Sequence, residues 1–221
     1  ADGHIQVDKT KFPRGIRYVA DYLHERGFKL GIYSDAADKT CGGVCGSYGY
    51  EEIDARDFAS WGVDLLKYDY CNAPAGRVEA MERYEKMGRA LRATDRSIVF
   101  SICEWGQREP WKWAKKVGGH LWRVSGDIGD LWNRGILNIL EINAPLSEYA
   151  RPGGWNDPDM LVVGIGGKSK SIGYESEGCT NEQYQSHFAL WCMMASPLLC
   201  GNDVRQMNDS TLQILLNKDL I

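Results

Sequence analysis

The chain has 221 residues, 43% of them hydrophobic and 25% charged, with a formal charge of -4 at pH 7. That is the balance of an ordinary globular protein, long enough for one large domain. The acidic balance, with no run of Lys or Arg, excludes a general affinity for nucleic-acid backbone. No apolar stretch approaches the roughly 20 residues of a membrane span, and "ADGHIQVDKTKFPRG" has no apolar signal-peptide region.

In chain order, residues 12–26 place Phe12, Ile16, Val19, Ala20 and Leu23 at helical spacing, with Pro13 near the start and Gly27 as the stop. "FKLGIYSD" (28–35) reads as a buried strand. A helix over about 50–61 ends at Gly62, before the strand "VDLLKYDY" (63–70). The next helix, about 77–94, carries Val78, Met81, Tyr84, Gly88 and Leu91 on one face, and "SIVFSICEW" (97–105) follows as a strand. A short helix around "PWKWAKKV" ends at Gly118, and "HLWRVSGDI" (120–128) is the fourth strand. A helix near 131–142 leads to "GGWNDPDMLVV". A last clear helix begins after Asn181 and carries "YQSHFALWCMMA", and "SPLLCGND" is expected as a sixth strand.

Helix, glycine, short apolar strand and polar strand end thus recur six times. The alternation predicts an α/β fold of parallel strands joined by right-handed helical crossovers. Two architectures fit, an open doubly wound sheet or a (β/α)8 barrel. Polar groups end every strand: Tyr33 and Asp35, Lys67 and Asp69, Glu104, Arg123 and Asp127, Asp157 and Asp159, Asn202 and Asp203. A barrel draws its site from all its strand ends, whereas a doubly wound sheet concentrates it at one switch point. "CGGVCGS" does not open a helix directly after a strand, so it is no phosphate cradle. The expectation is a (β/α)8 barrel, incomplete at about six strand–helix units, with residues 1–221 forming one partial catalytic barrel domain.

Several acids in one mouth suit either an all-oxygen site for Mg²⁺, Mn²⁺ or Ca²⁺ or acid–base work such as glycoside hydrolysis. Lys67 and Asp69 are two apart and share a strand face. The ammonium would keep Asp69 ionised, as a nucleophile must be, and would be out of place in a metal site. Asp127 is the natural second carboxylate. It stands four residues from Arg123 on what reads as one strand face and, if less well paired than Asp69, would be pushed towards a general acid. The plain alternative is that both acids form structural ion pairs with Lys67 and Arg123. Of the seven cysteines, Cys41 and Cys45 look like half a zinc site, but no second pair and no suitably spaced histidine follow. Cys192 and Cys200 read as buried small hydrophobes. The odd total leaves one or two bridges open. Histidines 24, 120 and 187 read as surface or core residues.

The segments "KLGIYSDAADKTC", "WGVDLLKYDYCN", "CEW", "WRVSGDI" and "PGGWNDPDML" resemble the successive strand-end motifs of glycoside hydrolase family 27, the α-galactosidase and α-N-acetylgalactosaminidase family. The resemblance runs through essentially the whole chain. It implies a (β/α)8 barrel followed by an antiparallel β domain, and a retaining double displacement. By position it makes Asp69 the nucleophile and Asp127 the acid/base, with Tyr33, Lys67, Glu104, Arg123 and Asp159 on sugar-contacting positions and Asp157 structural. It also implies a Cys41–Cys71 disulfide, hence an oxidising compartment: secreted, periplasmic or lysosomal. Cys45 is additional to that pattern. The family's first two strands, barrel closure and β domain have no counterpart in these 221 residues, so a fragment is expected. "EWGQ" lies where the family separates galactose from N-acetylgalactosamine, and Glu104 and Gln107 lean towards galactose. The implied activity is removal of terminal α-galactosyl residues from oligosaccharides or glycoconjugates, without metal or organic cofactor and with no nucleic-acid or membrane partner; a homodimer is left open. The alternatives are an α-N-acetylgalactosaminidase, a β-L-arabinopyranosidase, or a sugar-binding fragment without turnover.

Overall fold

The computed structural model describes residues 3–167 and 177–221. They fall into two compact units, Ala1–Glu104 with Lys112–Trp122, and Trp105–Trp111 with Arg123–Ile221.

The first unit begins with α1 (Gly15–His24), shorter than the expected 12–26. The chain then turns at Gly27, whose φ of +77° is a left-handed conformation that glycine adopts at little cost. β1 (Gly31–Asp35), α2 (Glu51–Ser60), β2 (Leu65–Asp69), α3 (Arg77–Arg92), β3 (Val99–Ile102) and β4 (Leu121–Arg123) follow. The strands lie side by side in chain order, all parallel, with Asp35 opposite Asp69, Leu66 opposite Phe100 and Ile102 opposite Trp122. Four strands in sequence without a reversal are the order of a barrel wall, because a doubly wound sheet must turn back at its switch point.

Alternation along β2 decides what each residue meets. Leu66 and Tyr68 are fully buried, while Leu65 and Lys67 are half-buried on the other face. Tyr84 of α3 packs edge-on against Tyr68 at 5.8 Å and donates its hydroxyl to the Cys103 carbonyl at 2.9 Å. A buried phenol therefore keeps its polar tip satisfied, which removes the main cost of burying it.

The second unit holds one turn of π-helix (Trp132–Leu137) running into α4 (Asn138–Asn143), then β5 (Trp155–Asp157), α5 (Asn181–Met193) and α6 (Asp209–Leu215). Val124 N–H donates to the Asp157 carbonyl at 3.0 Å, bringing β5 alongside the chain that leaves β4. The core gathers Ile128, Ile136, Leu161, Val163, Phe188 and Trp191. α5 opens on a reciprocal capping box, in which Thr180 accepts from Gln183 N–H and the Gln183 side chain accepts from Thr180 N–H.

Several expectations are corrected. "PWKWAKKV" forms only a 3-10 turn at Pro110–Lys112. The expected sixth strand, "SPLLCGND", reduces among the described residues to one parallel bridge, Leu161 to Cys200. Pro197 has no N–H to give a ladder, and pairing begins only where Leu161 N–H reaches the Leu199 carbonyl at 2.8 Å. Cys200 is consequently exposed and Cys192 half-buried, neither of them the buried residue that their apolar neighbours suggested. α6, announced by the Asn208 cap, was not anticipated. No helix among the described residues is long and apolar enough to cross a membrane.

Candidate active site

In the first unit the ends of β1 and β2 carry the polar groups. Their register sets Tyr33 beside Lys67 and Asp35 beside Asp69. Asp69 is buried at 5% exposure, and Tyr33 donates its hydroxyl to Asp69 Oδ2 at 3.0 Å. Burial first, then the Asp69 charge, pushes the Tyr33 phenol well above its usual range, so the hydroxyl stays a donor. The expected Lys67–Asp69 pair is not formed: Lys67 has no ion pair among the described residues. Sharing a strand face does not fix where a long, half-buried ammonium ends, and the short, rigid Tyr33 takes the carboxylate instead.

In the sequence Asp35 is one strand-end acid among many. It is fully buried. Cys71 N–H donates to its Oδ2 at 3.0 Å. Burial pushes its carboxyl up to about 7, with the Asp69 charge adding to the rise and the Cys71 and Ala37 N–H groups and Arg83 opposing it.

Cys41 and Cys71 form the disulfide that the resemblance implied, tying the loop after β1 to the end of β2. One ligand-type atom each of Asp35, Asp69, Cys41 and Cys71 lie within 4.8 Å of one another. The disulfide consumes both thiolates, so this group offers a cation two carboxylates and no sulfur charge. Cys45 is a free, exposed thiol. Glu104, just beyond β3, is fully buried.

In the second unit the polar group centres on Arg123, which closes β4 and is 1% exposed. Its Nη2 donates to Asp127 Oδ1 at 2.9 Å, to the Ser125 carbonyl at 3.2 Å, and lies 3.0 Å from Asp159 Oδ2. One guanidinium thus holds two carboxylates, the bridging geometry for which Arg is suited. Strand β4 stops at Arg123, so Arg123 and Asp127 meet because the chain curls back and not through a shared strand face. Nor is Asp127 poorly paired: it has the Arg123 guanidinium and remains about half exposed, at 47%.

Asp159 is buried and strained, with φ +78°. For a non-glycine residue that conformation costs about 1–3 kcal/mol. The surroundings over-determine it. Its carboxylate accepts from Ile128 N–H at 2.8 Å, its N–H donates to Asp157 Oδ1 at 2.9 Å, and its carbonyl accepts from Trp191 Nε1–H at 2.8 Å. Asp157 therefore acts as a brace for Asp159. Trp105 and Gly106, also in this unit, take φ of +58° and +73° in succession, which turns "EWGQ" sharply after β3. Both Trp105 and Trp155 are half-buried. Asp130 went unnoticed in the sequence. It is fully buried and accepts from the Tyr184 hydroxyl at 2.6 Å, Gly167 N–H at 2.7 Å and Cys179 N–H at 3.1 Å.

The family model described as Melibiase_2: Alpha galactosidase A matches residues 1–221, the entire chain. The chain belongs to this family. Among family relatives, it is 45% identical to "Alpha-galactosidase A" of Cellvibrio japonicus over 230 aligned residues, covering 100% of this chain and 53% of that protein. It is 46% identical to "Alpha-galactosidase" of Cyamopsis tetragonoloba, covering 100% of this chain and 50% of that one. Of solved structures, a crystal structure from Bacteroides fragilis NCTC 9343 matches at 98% identity and a TM-score of 0.97, over 100% of this chain and 48% of that chain. The alfa-galactosidase from Saccharomyces cerevisiae with raffinose matches at 35% identity and a TM-score of 0.89, over 97% and 50%. The chain therefore spans about half the length of the relatives it matches. These likenesses bear out the barrel reading: the fold is an incomplete (β/α)8 barrel of this melibiase family.

Proposed function

We propose that this chain carries the catalytic carboxylates of a retaining, exo-acting α-galactosidase, with residues 1–221 forming part of one (β/α)8 catalytic domain. The observation that carries the reading is Asp69: a buried carboxylate at the tip of a barrel strand, on the family's nucleophile position, with one oxygen oriented by Tyr33. The other oxygen, Oδ1, is buried and has no hydrogen-bond partner among the described residues.

Asp69 attacks the anomeric carbon as the glycosidic bond breaks, giving a glycosyl ester. Asp127 protonates the departing oxygen, then takes a proton from the water that cleaves the ester. Two displacements restore the original configuration. Arg123 binds both Asp127 and Asp159, so it orients the acid/base and a sugar-contacting acid together. Lys67, which has no carboxylate partner among the described residues, gives its ammonium to a sugar hydroxyl in this reading, alongside Tyr33 and Glu104. Two carboxylates complete this chemistry without a metal or an organic cofactor. Terminal α-galactosides are the substrate class, in keeping with the relatives' names, and the disulfide favours a secreted, periplasmic or lysosomal setting.

The test is hydrolysis of an aryl α-galactoside by the full protein, expected to continue in EDTA and to fall at least about a thousandfold in Asp69→Asn. An Asp69→Asn enzyme that stays active refutes the nucleophile assignment. Turnover only of the α-N-acetylgalactosaminide or the β-L-arabinopyranoside would move the specificity, and no turnover of any of the three would favour a sugar-binding role.

A further inference from the structure

Asp35 is not needed to explain sugar binding or the two displacements, yet it is a fully buried carboxyl at the centre of the first unit's polar group. A carboxylate oxygen of Asp35 lies within 4.8 Å of one of Asp69, with the Cys41–Cys71 disulfide at the same range. Two buried carboxylates at that separation cannot both be ionised cheaply, so the pair retains a proton. Asp35 Oδ2 accepts from Cys71 N–H, with Ala37 N–H also favouring the charged form, and Asp69 Oδ2 accepts from the Tyr33 hydroxyl. Each also has an oxygen, Oδ1, without a partner among the described residues. On the hydrolase reading Asp69 must keep its charge to meet the anomeric carbon, whereas Asp35, the more buried of the two at 0% against 5% exposure, meets no reacting atom, so the proton of the pair belongs on Asp35.

We propose that Asp35 is a positioning residue for the nucleophile: it holds the one proton of the Asp35–Asp69 pair in the resting enzyme, leaving the charge on Asp69, and releases it while Asp69 is esterified. This rests on the assignment of Asp69 as nucleophile. When the Asp69–C1 bond forms, the negative charge of Asp69 is consumed in it, and the leaving oxygen departs with the proton of Asp127. The Asp69 charge, which adds to the burial that holds the Asp35 proton, is then gone, so near neutral pH Asp35 passes part of its proton to water. When water cleaves the ester, its hydroxyl joins C1, its proton goes to Asp127, and the C1–O electron pair returns to Asp69. Asp35 then recovers a proton from solvent, and the cycle closes. The groups facing Asp35 are consistent with this. Asp69 and Tyr68 come from β2, Tyr33 from β1, and Arg83 and Tyr84 from α3; of these only Asp69 changes charge during turnover. The raised Asp35 carboxyl, at about 7, places the release within reach of neutral solution.

The test is an infrared titration of the full protein for a protonated-carboxyl band, followed by proton counting with a 2-fluoro-galactosyl fluoride that traps the Asp69 ester. Wild type should lose the band with a midpoint near 7. The band should be missing in Asp35→Asn, and its midpoint should fall in Asp69→Asn, which identifies the pair even if Asp35→Asn does not fold. Trapping near neutral pH sends the Asp127 proton out with fluoride in both proteins, so the Asp35 contribution is the difference: wild type should release a fraction of a proton more per esterified enzyme than Asp35→Asn. A purely structural Asp35 would change neither the midpoint nor the proton count. No titrating band, a band unmoved by Asp69→Asn, or equal proton release from wild type and Asp35→Asn overturns the proposal. If the band behaves as described but no ester forms, the hydrolase reading fails and with it the release step, while the shared resting proton stands.

Discussion

His187 makes the stability of the second unit dependent on acid, and the size of the effect follows from the structure. The ring is fully buried on α5, lies 4.1 Å from the Trp191 ring in an edge-on arrangement, and accepts the Val162 N–H through Nε2 at 3.1 Å. Burial lowers its pKa from 6.5 to about 4, only partly offset by the negative charge of Asp130. Protonation would also set an N–H against the Val162 N–H. In the unfolded chain the ring takes its proton near pH 6.5, so between there and pH 4 the unfolded state binds more protons and stability falls with falling pH. The contribution is complete above 6.5 and is lost by about pH 4, a shift worth about 3 kcal/mol at about 1.4 kcal/mol per pH unit. The assay is urea unfolding at pH 7 and pH 4 for wild type and His187→Gln, a neutral side chain that can still accept from Val162. The variant should be weaker at pH 7 by about 1 kcal/mol from the lost ring contact, yet its own loss between the two pH values should be about 3 kcal/mol smaller than that of wild type. An identical pH dependence in the two proteins would refute the reasoning.

Two further outcomes concern the scaffold. Replacing both Cys41 and Cys71 with Ser frees a loop that the bridge closes over a separation of 30 residues, for an expected loss of about 3–4 kcal/mol; thermal unfolding with and without reductant checks it, and an unchanged midpoint would count against the bridge. Gly106→Ala would put a Cβ 2.1 Å from the Val124 carbonyl oxygen at a φ of +73°, so a loss of at least about 2 kcal/mol is expected. Gly126→Ala, with nothing within 4 Å of its added Cβ, is the matched control and should be near neutral.

What the sequence by itself determined is local or repetitive. Helix and strand periods alternate, glycines stop the helices, and each strand ends in polar side chains. Those features are enough for parallel strands in barrel order and for placing Asp69, Arg123 and Asp159 at strand tips. The motifs around them were specific enough to name the family. Apart from the Cys41–Cys71 bridge, which the family resemblance implied, contacts between segments distant in the chain were beyond reach, because side-chain reach and strand register are set by pairing and not by local pattern. Lys67 shares a face with Asp69 in any extended strand, but only the β1–β2 register decides that Tyr33 takes the carboxylate. "SPLLCGND" has a strand's composition, yet a strand needs a ladder, and the structure pairs it at one bridge. Asp35 looked like one acid among many at the strand ends. Its full burial and its closeness to Asp69 exist only once β1 and β2 are aligned and Cys41 is joined to Cys71, so tertiary structure alone brings the two carboxyls together.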